Sequence, residues 1–429
     1  MPEILKDRCR LLARINERSS LDDPVVFNRV IDIMNEIRAN GDAALRYFTE
    51  KFDGVSIADF IVSNDEIKRA YEEIDKDLLE VIRDAAVNIR TFHEKQIVEG
   101  WTWKKAEGIT LGQKATPMER VGIYVPGGTA PLISTVLMNV IPARTAGVRN
   151  IVLCTPPLKD GSIDAPRLVA AAESGADIII KAGGAQAIFA MAFGTKSVPR
   201  VDKITGPGNI YVANAKKLAY GYCGIDMIAG PSEILVIADK KADPRFIAAD
   251  MLGQAEHDNI AASILITTDE GLADSVRSEI KRQLRDLPRK DIAGESIGRF
   301  GSIYIAKDID DAIETANEIA PEHLELLVEN PEDYEPRLTN AGAIFIGPYS
   351  PEPLGDYWAG PNHTLPTGGT ARFYSPLGVY DFMKRTSIIR YDRESLSEAA
   401  SGICRFARAE KLEAHARAVE IRFGGDSNG

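Results

Sequence analysis

Cysteine is scarce in this sequence. Cys9, Cys154, Cys223 and Cys404 are spread over 429 residues and form no CxxC. That spacing excludes a disulfide framework and a cysteine-bound zinc, and it suits a reducing compartment. Long apolar runs are missing too, since no uncharged apolar run reaches the ~18 residues a membrane span needs. The opening MPEILKDRCRLLARINERSS is charged throughout and carries no apolar signal core. Nor is there a basic excess: 51 Lys and Arg against 63 Asp and Glu give a formal net charge of −12. A broad nucleic-acid-binding face is therefore not expected. These absences predict a cytoplasmic protein without a membrane or nucleic-acid partner.

What is present is an ordinary globular composition, 45% hydrophobic and 27% charged. The length exceeds one hydrophobic core and predicts two or more domains. From about residue 24 to 99, apolar residues recur at three- and four-residue spacing, which predicts helices. The middle then changes period. VGIYVPGGTAPLISTVLMNVIPARTAGV reads strand, Gly-rich turn, helix, and the plan recurs in ADIIIKAGGAQAIFAMAFGT and VDKITGPGNIYVANAKKLAY. Apolar runs alternating with helices predict parallel βαβ units. A further α/β segment follows from SEILVIAD onward, with GSIYIA and AGAIFIG as its remaining strands. After Pro353 the chain becomes Gly/Pro-rich and loses its period, the mark of a functional loop. A helical segment closes it.

Five histidines are present, so their surroundings matter. His93 lies among charged neighbours in a helical stretch and reads as a surface residue. In GQAEHDN, Gln254 and His257 are three apart near a helix end and share a face, a spacing that lets two ligands converge on one ion. In LGDYWAGPNHTLP, Asp356 and His363 read as loop residues. A carboxylate, an imidazole and an amide oxygen suit Zn²⁺ or a similar divalent ion, although Gly-Asp pairs also simply make turns. Glu410 and His415 are five apart and read, by spacing alone, as surface residues.

IAPEHLELLVEN poses a sharper question. Pro321 suits a first helical position, and an early acid suits the helix dipole. Yet Glu322 and His323 also form an adjacent acid and base. A helix start would let both reach one substrate atom. The Gly-rich turns VPGGTAP and TGPGNIY each follow a strand and precede a helix, where free amides can face an anion. Neither is GxGxxG, and tight-turn geometry alone accounts for the glycines.

Taken together, the strings GIYVPGGTAPLISTVLMNVIPARTAGV, GGAQAI, ITGPGN, AGPSEILVIAD, QAEHD, APEHLEL, GDYWAGPNHTLPT and AEKLEAH resemble the histidinol dehydrogenase family in order and spacing, over nearly the whole chain. The resemblance implies an α/β fold of two incomplete Rossmann-like domains with small terminal extensions, assembled as an intertwined homodimer. It divides the chain into an extension at 1–21, a first domain at 22–123 plus 231–376, a second at 124–230, and an extension at 377–429 reaching the partner. It implies one Zn²⁺ per site held by Gln254, His257, Asp356 and a neighbour's His415. Ser232, His363 and Glu410 would complete the pocket for L-histidinol, alongside the metal ligands and His323. NAD⁺ would be met by Tyr124, Gln186 and Asn209. The insertion around KDGSID falls in a loop.

The resemblance further implies a four-electron oxidation in the last steps of histidine biosynthesis, from L-histidinol through bound L-histidinal to L-histidine. His323 would be the general base for the hydroxyl proton, Glu322 would activate water for aldehyde hydration, and zinc would template the substrate. A relative on this scaffold acting on another small alcohol, such as a sulfonated diol, is the nearest alternative. Glu410 and His363 favour a cationic, imidazole-bearing substrate. A zinc hydrolase with Glu322 activating water is a rival from another class, and a non-catalytic metal-binding module is a third.

Overall fold

The computed structural model describes residues 1–17, 23–127, 131–228 and 230–424. A short strand β1 (Glu3–Leu5) and helix α1 (Arg8–Asn16) open the chain. Four helices follow, α2 (Pro24–Asn40), α3 (Asp42–Asp53), α4 (Asn64–Glu73) and α5 (Lys76–Glu94). Their starts are dictated locally. Asp23 caps α2 just before Pro24, and Ser63 and Glu66 form a reciprocal capping box on α4.

Strands β2 (Trp101–Ala106) and β3 (Ile109–Pro117) come next. Then β4 (Arg120–Tyr124), α6 (Ile133–Thr145), β5 (Asn150–Thr155), α7 (Ala165–Ser174), β6 (Ile178–Lys181) and α8 (Gly184–Phe193) alternate. After β7 (Lys203–Thr205), α9 (Ile210–Ala219) and β8 (Gly224–Ile225), the five strands β4–β8 lie parallel in the order β6-β5-β4-β7-β8. Residues of α2, α3, α8 and α9, among them Val30, Leu45, Phe189 and Val212, share one buried core with this sheet.

The larger sheet follows. It comprises β9 (Glu233–Ala238), α10 (Pro244–Ala255), β10 (Ala262–Thr267), α11 (Glu270–Gln283), α12 (Lys290–Arg299) and β11 (Ser302–Ile305). Helix α13 (Ile309–Ile319), β12 (His323–Leu327) and β13 (Ala343–Ile346) complete it. With β1 the strands run parallel in the order β1-β11-β10-β9-β12-β13. Strands β9 and β10 are buried along their whole length, as expected where helices cover both faces. Helices α10, α11 and α12 pack on one face, and α1 and α13 on the other. The chain ends with α14 (Glu352–Tyr357), β14 (Met383–Tyr391), α15 (Arg393–Ala409) and α16 (Glu413–Glu420).

The two parallel sheets bear out the expected pair of Rossmann-like halves. Together they lie in one unit, residues 1–97 with 118–382. Residues 98–117 and those from 383 onward form a second unit. There β3 is the central strand of an antiparallel sheet ordered β14-β3-β2, and α15 and α16 enclose a small core of Cys404, Ala407 and Ala416.

Three local expectations are corrected. Pro321 does not begin a helix: α13 ends at Ile319, Ala320 turns left-handed at φ 51°, ψ 63°, and β12 starts at His323. Pro after a left-handed cap stops a helix as readily as it starts one. His93 is fully buried rather than at the surface. Its Nδ1 bonds the Ile89 carbonyl at 2.7 Å and its Nε2 meets the Asn362 amide at 3.3 Å, while its charged neighbours face outward. Asp356 belongs to the short helix α14, not to a loop. Some expectations touch residues outside the described set: Gly128, Thr129 and Ala130 of VPGGTAP, Ala229 of AGPSEILVIAD, the boundary between the extension at 1–21 and the domain from 22, and the last five residues of the extension at 377–429.

Candidate active site

Strand β12 sets the geometry. Leu324 and Leu326 belong to the core under α13, whereas Leu327 packs with α10. Side chains alternate along a strand, so His323 and Glu325 share the α10 face. Just before the strand, Glu322 extends its Oε2 to accept the Glu233 backbone N–H at 2.9 Å. Gly342 lets this turn form: its N–H bonds the Pro321 carbonyl at 2.9 Å, and a Cβ there would meet the Glu322 carbonyl oxygen at 2.5 Å.

His323 is 4% exposed. Its Nδ1 lies 3.1 Å from the Glu233 carbonyl oxygen, which can only accept, so Nδ1 carries the proton. Its Nε2 therefore holds the lone pair, and it is buried without a hydrogen-bond partner among the described residues. Burial lowers the imidazole to about 4 and keeps it neutral. Burial has the opposite effect on Glu322, raising it well above the usual carboxylate range, with the Glu233, Asp356 and Glu352 charges adding to the rise. Glu322 Oε2 and His323 Nδ1 are 3.8 Å apart.

Two carboxylates face the free nitrogen. Glu352 Oε1 and Asp356 Oδ1 each lie 3.9 Å from His323 Nε2. The two acids are one helical turn apart on α14 and so share a face. His257, Glu352 and Asp356 offer ligand atoms that all lie within 4.8 Å of one another. Gln254, in the last turn of α10, keeps its Oε1 buried without a hydrogen-bond partner among the described residues. The His257 backbone N–H bonds the Gln254 carbonyl at 3.2 Å, which folds the chain back at the helix end. His363 sets its Nδ1 3.7 Å from Asp356 Oδ1, and burial lowers its pKa. Orphaned oxygens and a neutral imidazole form a donor set suited to a divalent cation.

A separate set of residues lines a cavity of about 1060 Å³ beside the five-stranded sheet. Tyr124, Gln186 and Asn209 all belong to its wall, with Arg29, Lys159 and Arg167. The Tyr124 hydroxyl accepts the Gly184 N–H at 3.0 Å. Gln186 Oε1 is buried and has no hydrogen-bond partner among the described residues. Asn209 caps α9 through its Oδ1, leaving its amide nitrogen to offer a ligand. The turn bearing Asn209 is held from below by a buried ion pair of Lys216 and Asp226. Lys216 donates to the Gly206 carbonyl at 2.8 Å, and Asp226 accepts the Gly206 N–H at 2.8 Å.

Glu322, His323, His257, Asp356 and His363 thus fall close together. Ser232 immediately precedes β9, its carbonyl accepting the Ala262 N–H at 3.1 Å. Glu410 ends α15 and His415 lies on α16, both exposed on the second unit. Two acids went unread in the sequence, and each had a signal. Glu352 sits four residues before Asp356, and Glu233 is a lone acid heading an apolar strand.

A family model described as histidinol dehydrogenase matches residues 16–423. The histidinol dehydrogenase of Halalkalibacterium halodurans is 54% identical over 395 residues, covering 92% of this chain and 93% of that protein. The one from Bacillus subtilis is 52% identical over 411 residues, covering 95% and 96%. The crystal structure of histidinol dehydrogenase from Elizabethkingia anophelis matches with a TM-score of 0.93 at 42% identity, over 99% of this chain and 98% of that one. A structural match of that extent accounts for both parallel sheets at once. The chain belongs to the histidinol dehydrogenase family, a family of oxidoreductases.

Proposed function

We propose that this protein oxidises L-histidinol to L-histidine through enzyme-bound L-histidinal, reducing two NAD⁺ in turn. The observation that carries the reading is the tautomer of His323, whose lone pair on Nε2 faces the carboxyl groups of buried Glu352 and half-buried Asp356. His257, Asp356, Gln254 and His415 of the partner subunit would hold a Zn²⁺ ion, and Tyr124, Gln186 and Asn209 would hold NAD⁺. When bound, the metal would grip the imidazole and amine of the substrate, and NAD⁺ would accept the hydride.

The chain's own residues do the proton work. His323 Nε2 takes the hydroxyl proton as hydride leaves the carbinol carbon, and its neutral state makes that lone pair available. Glu322 takes a proton from the water that adds to the aldehyde. Its raised pKa makes the ionised carboxylate a stronger base than an exposed one. Burial of both groups keeps bulk water off the intermediate. Ser232, His363 and Glu410 would complete the substrate pocket.

A homodimer is part of the same proposal. The second unit has a very small core, yet it exposes Ile389 at 74%, Phe406 at 70% and Trp103 at 55%. Such surface calls for a partner. The domain division at 22–123 with 231–376 and at 124–230 also belongs to this proposal; the six-stranded sheet, with β9 to β13 inside 233–346, supports the segment 231–376, and the five-stranded sheet at 120–225 supports the segment 124–230, while α2 and α3 pack on the five-stranded sheet. Among the described residues no helix is long and apolar enough to cross a membrane.

The test is stoichiometry. Purified protein given limiting histidinol and excess NAD⁺ should form two NADH per histidinol consumed, with histidine as the product. One NADH with free aldehyde, or no NADH, would overturn the reading.

A further inference from the structure

The proposed chemistry leaves one buried acid beside it unused. Glu325 is 1% exposed, two residues after His323 and on the same face of β12. Its Oε1 accepts the Glu352 backbone N–H at 3.0 Å. Glu352 is the first residue of α14, the helix that carries Asp356.

We propose that Glu325 is a positioning residue: by accepting the Glu352 backbone N–H, it fixes α14 against β12, and so the placement of Asp356 beside His323. This rests on the reading above that Asp356 helps to hold a divalent cation. A glutamine keeps an acceptor oxygen on the same frame. A leucine has none.

The experiment compares zinc-loaded wild type with Glu325→Gln, Glu325→Leu and Glu325→Met. It measures zinc release to excess chromogenic chelator, kcat, KM for histidinol, and fold by circular dichroism. Glu325→Gln should release zinc within about threefold of wild type. Glu325→Leu should release it at least tenfold faster, because groups that orient metal ligands are typically worth about 10–100-fold in affinity. If the leucine variant does not fold, Glu325→Met carries the test, since its unbranched chain is close to glutamate in length and lacks the carboxyl acceptor, and its zinc should also leave faster. Wild-type release from folded Glu325→Leu or Glu325→Met would overturn the proposal, as would Glu325→Gln failing like the leucine variant. A wild-type protein that binds no zinc would overturn the metal reading itself, whatever the variants do.

Discussion

His323 is available as a base because Glu233 occupies its other nitrogen, and that backbone bond depends on where β12 begins. Replacing His323 by Asn removes the lone pair, and Glu322→Gln removes the water-activating carboxylate. Each should lower turnover by about 10²-fold or more, the usual scale for a lost general acid or base. Single-turnover assays should separate them, with Glu322→Gln slowing oxidation of added histidinal more than that of histidinol. Near-wild-type rates in both variants would remove the pair from the mechanism. At this scale the sequence was legible in part. The rarity of histidine and the adjacent acid singled out His323 and Glu322 without structural knowledge. Their setting was misread because Pro321 fits a helix start and a helix stop equally well, and pairing with β9 and β13 decides for a strand.

Among the elements, the βα turns were readable because short continuous apolar runs give way to glycine and then to helix. The antiparallel strands were not. β2 is exposed along its whole length, and β3 finds its second neighbour in β14 some 270 residues on, at pairs such as Thr116↔Lys384. Gly206 shows what a readable turn requires. It sits at φ +118°, and an added Cβ would lie 2.0 Å from the Tyr124 carbonyl oxygen. Gly206→Ala should therefore lower stability by at least about 1–3 kcal/mol from backbone strain. It should also raise KM for NAD⁺ more than KM for histidinol; equal effects would separate this turn from dinucleotide binding.

Helix-to-helix ties give a pH signature. Glu173 on α7 accepts from Arg83 of α5 at 2.9 Å and from Tyr71 of α4 at 2.8 Å. The Arg83 hydrogen bond, opposed by burial, holds its carboxyl below the usual value. A depressed folded-state pKa contributes stability above the unfolded value and loses it as pH falls through the folded one. Glu173→Gln should accordingly lower Tm at pH 7, and the gap should close as pH drops below about 4, near the unfolded glutamate value. A gap constant across that range would assign the loss to packing instead.

For the whole molecule, the least legible residue is His415. Within one chain it is exposed on α16, and no spacing argument can reveal a ligand that serves another subunit. If it completes a partner's metal site, two damaged chains can repair each other. Chains with His415→Ala lack the donated ligand, and chains with Glu322→Gln lack the carboxylate, so neither homodimer turns over. In a mixed dimer, one site combines the intact Glu322 of the first chain with the intact His415 of the second. Random exchange of equal amounts makes half the dimers mixed, each with one good site of two, so activity should return to about a quarter of wild type. The recovered sites should show wild-type KM for histidinol, since every residue in them is native. Exchange is verified by mass-tagged subunits on native mass spectrometry. Verified exchange without recovery would mean that each subunit builds its site alone, and the exposed apolar surface of the smaller unit would then need another explanation.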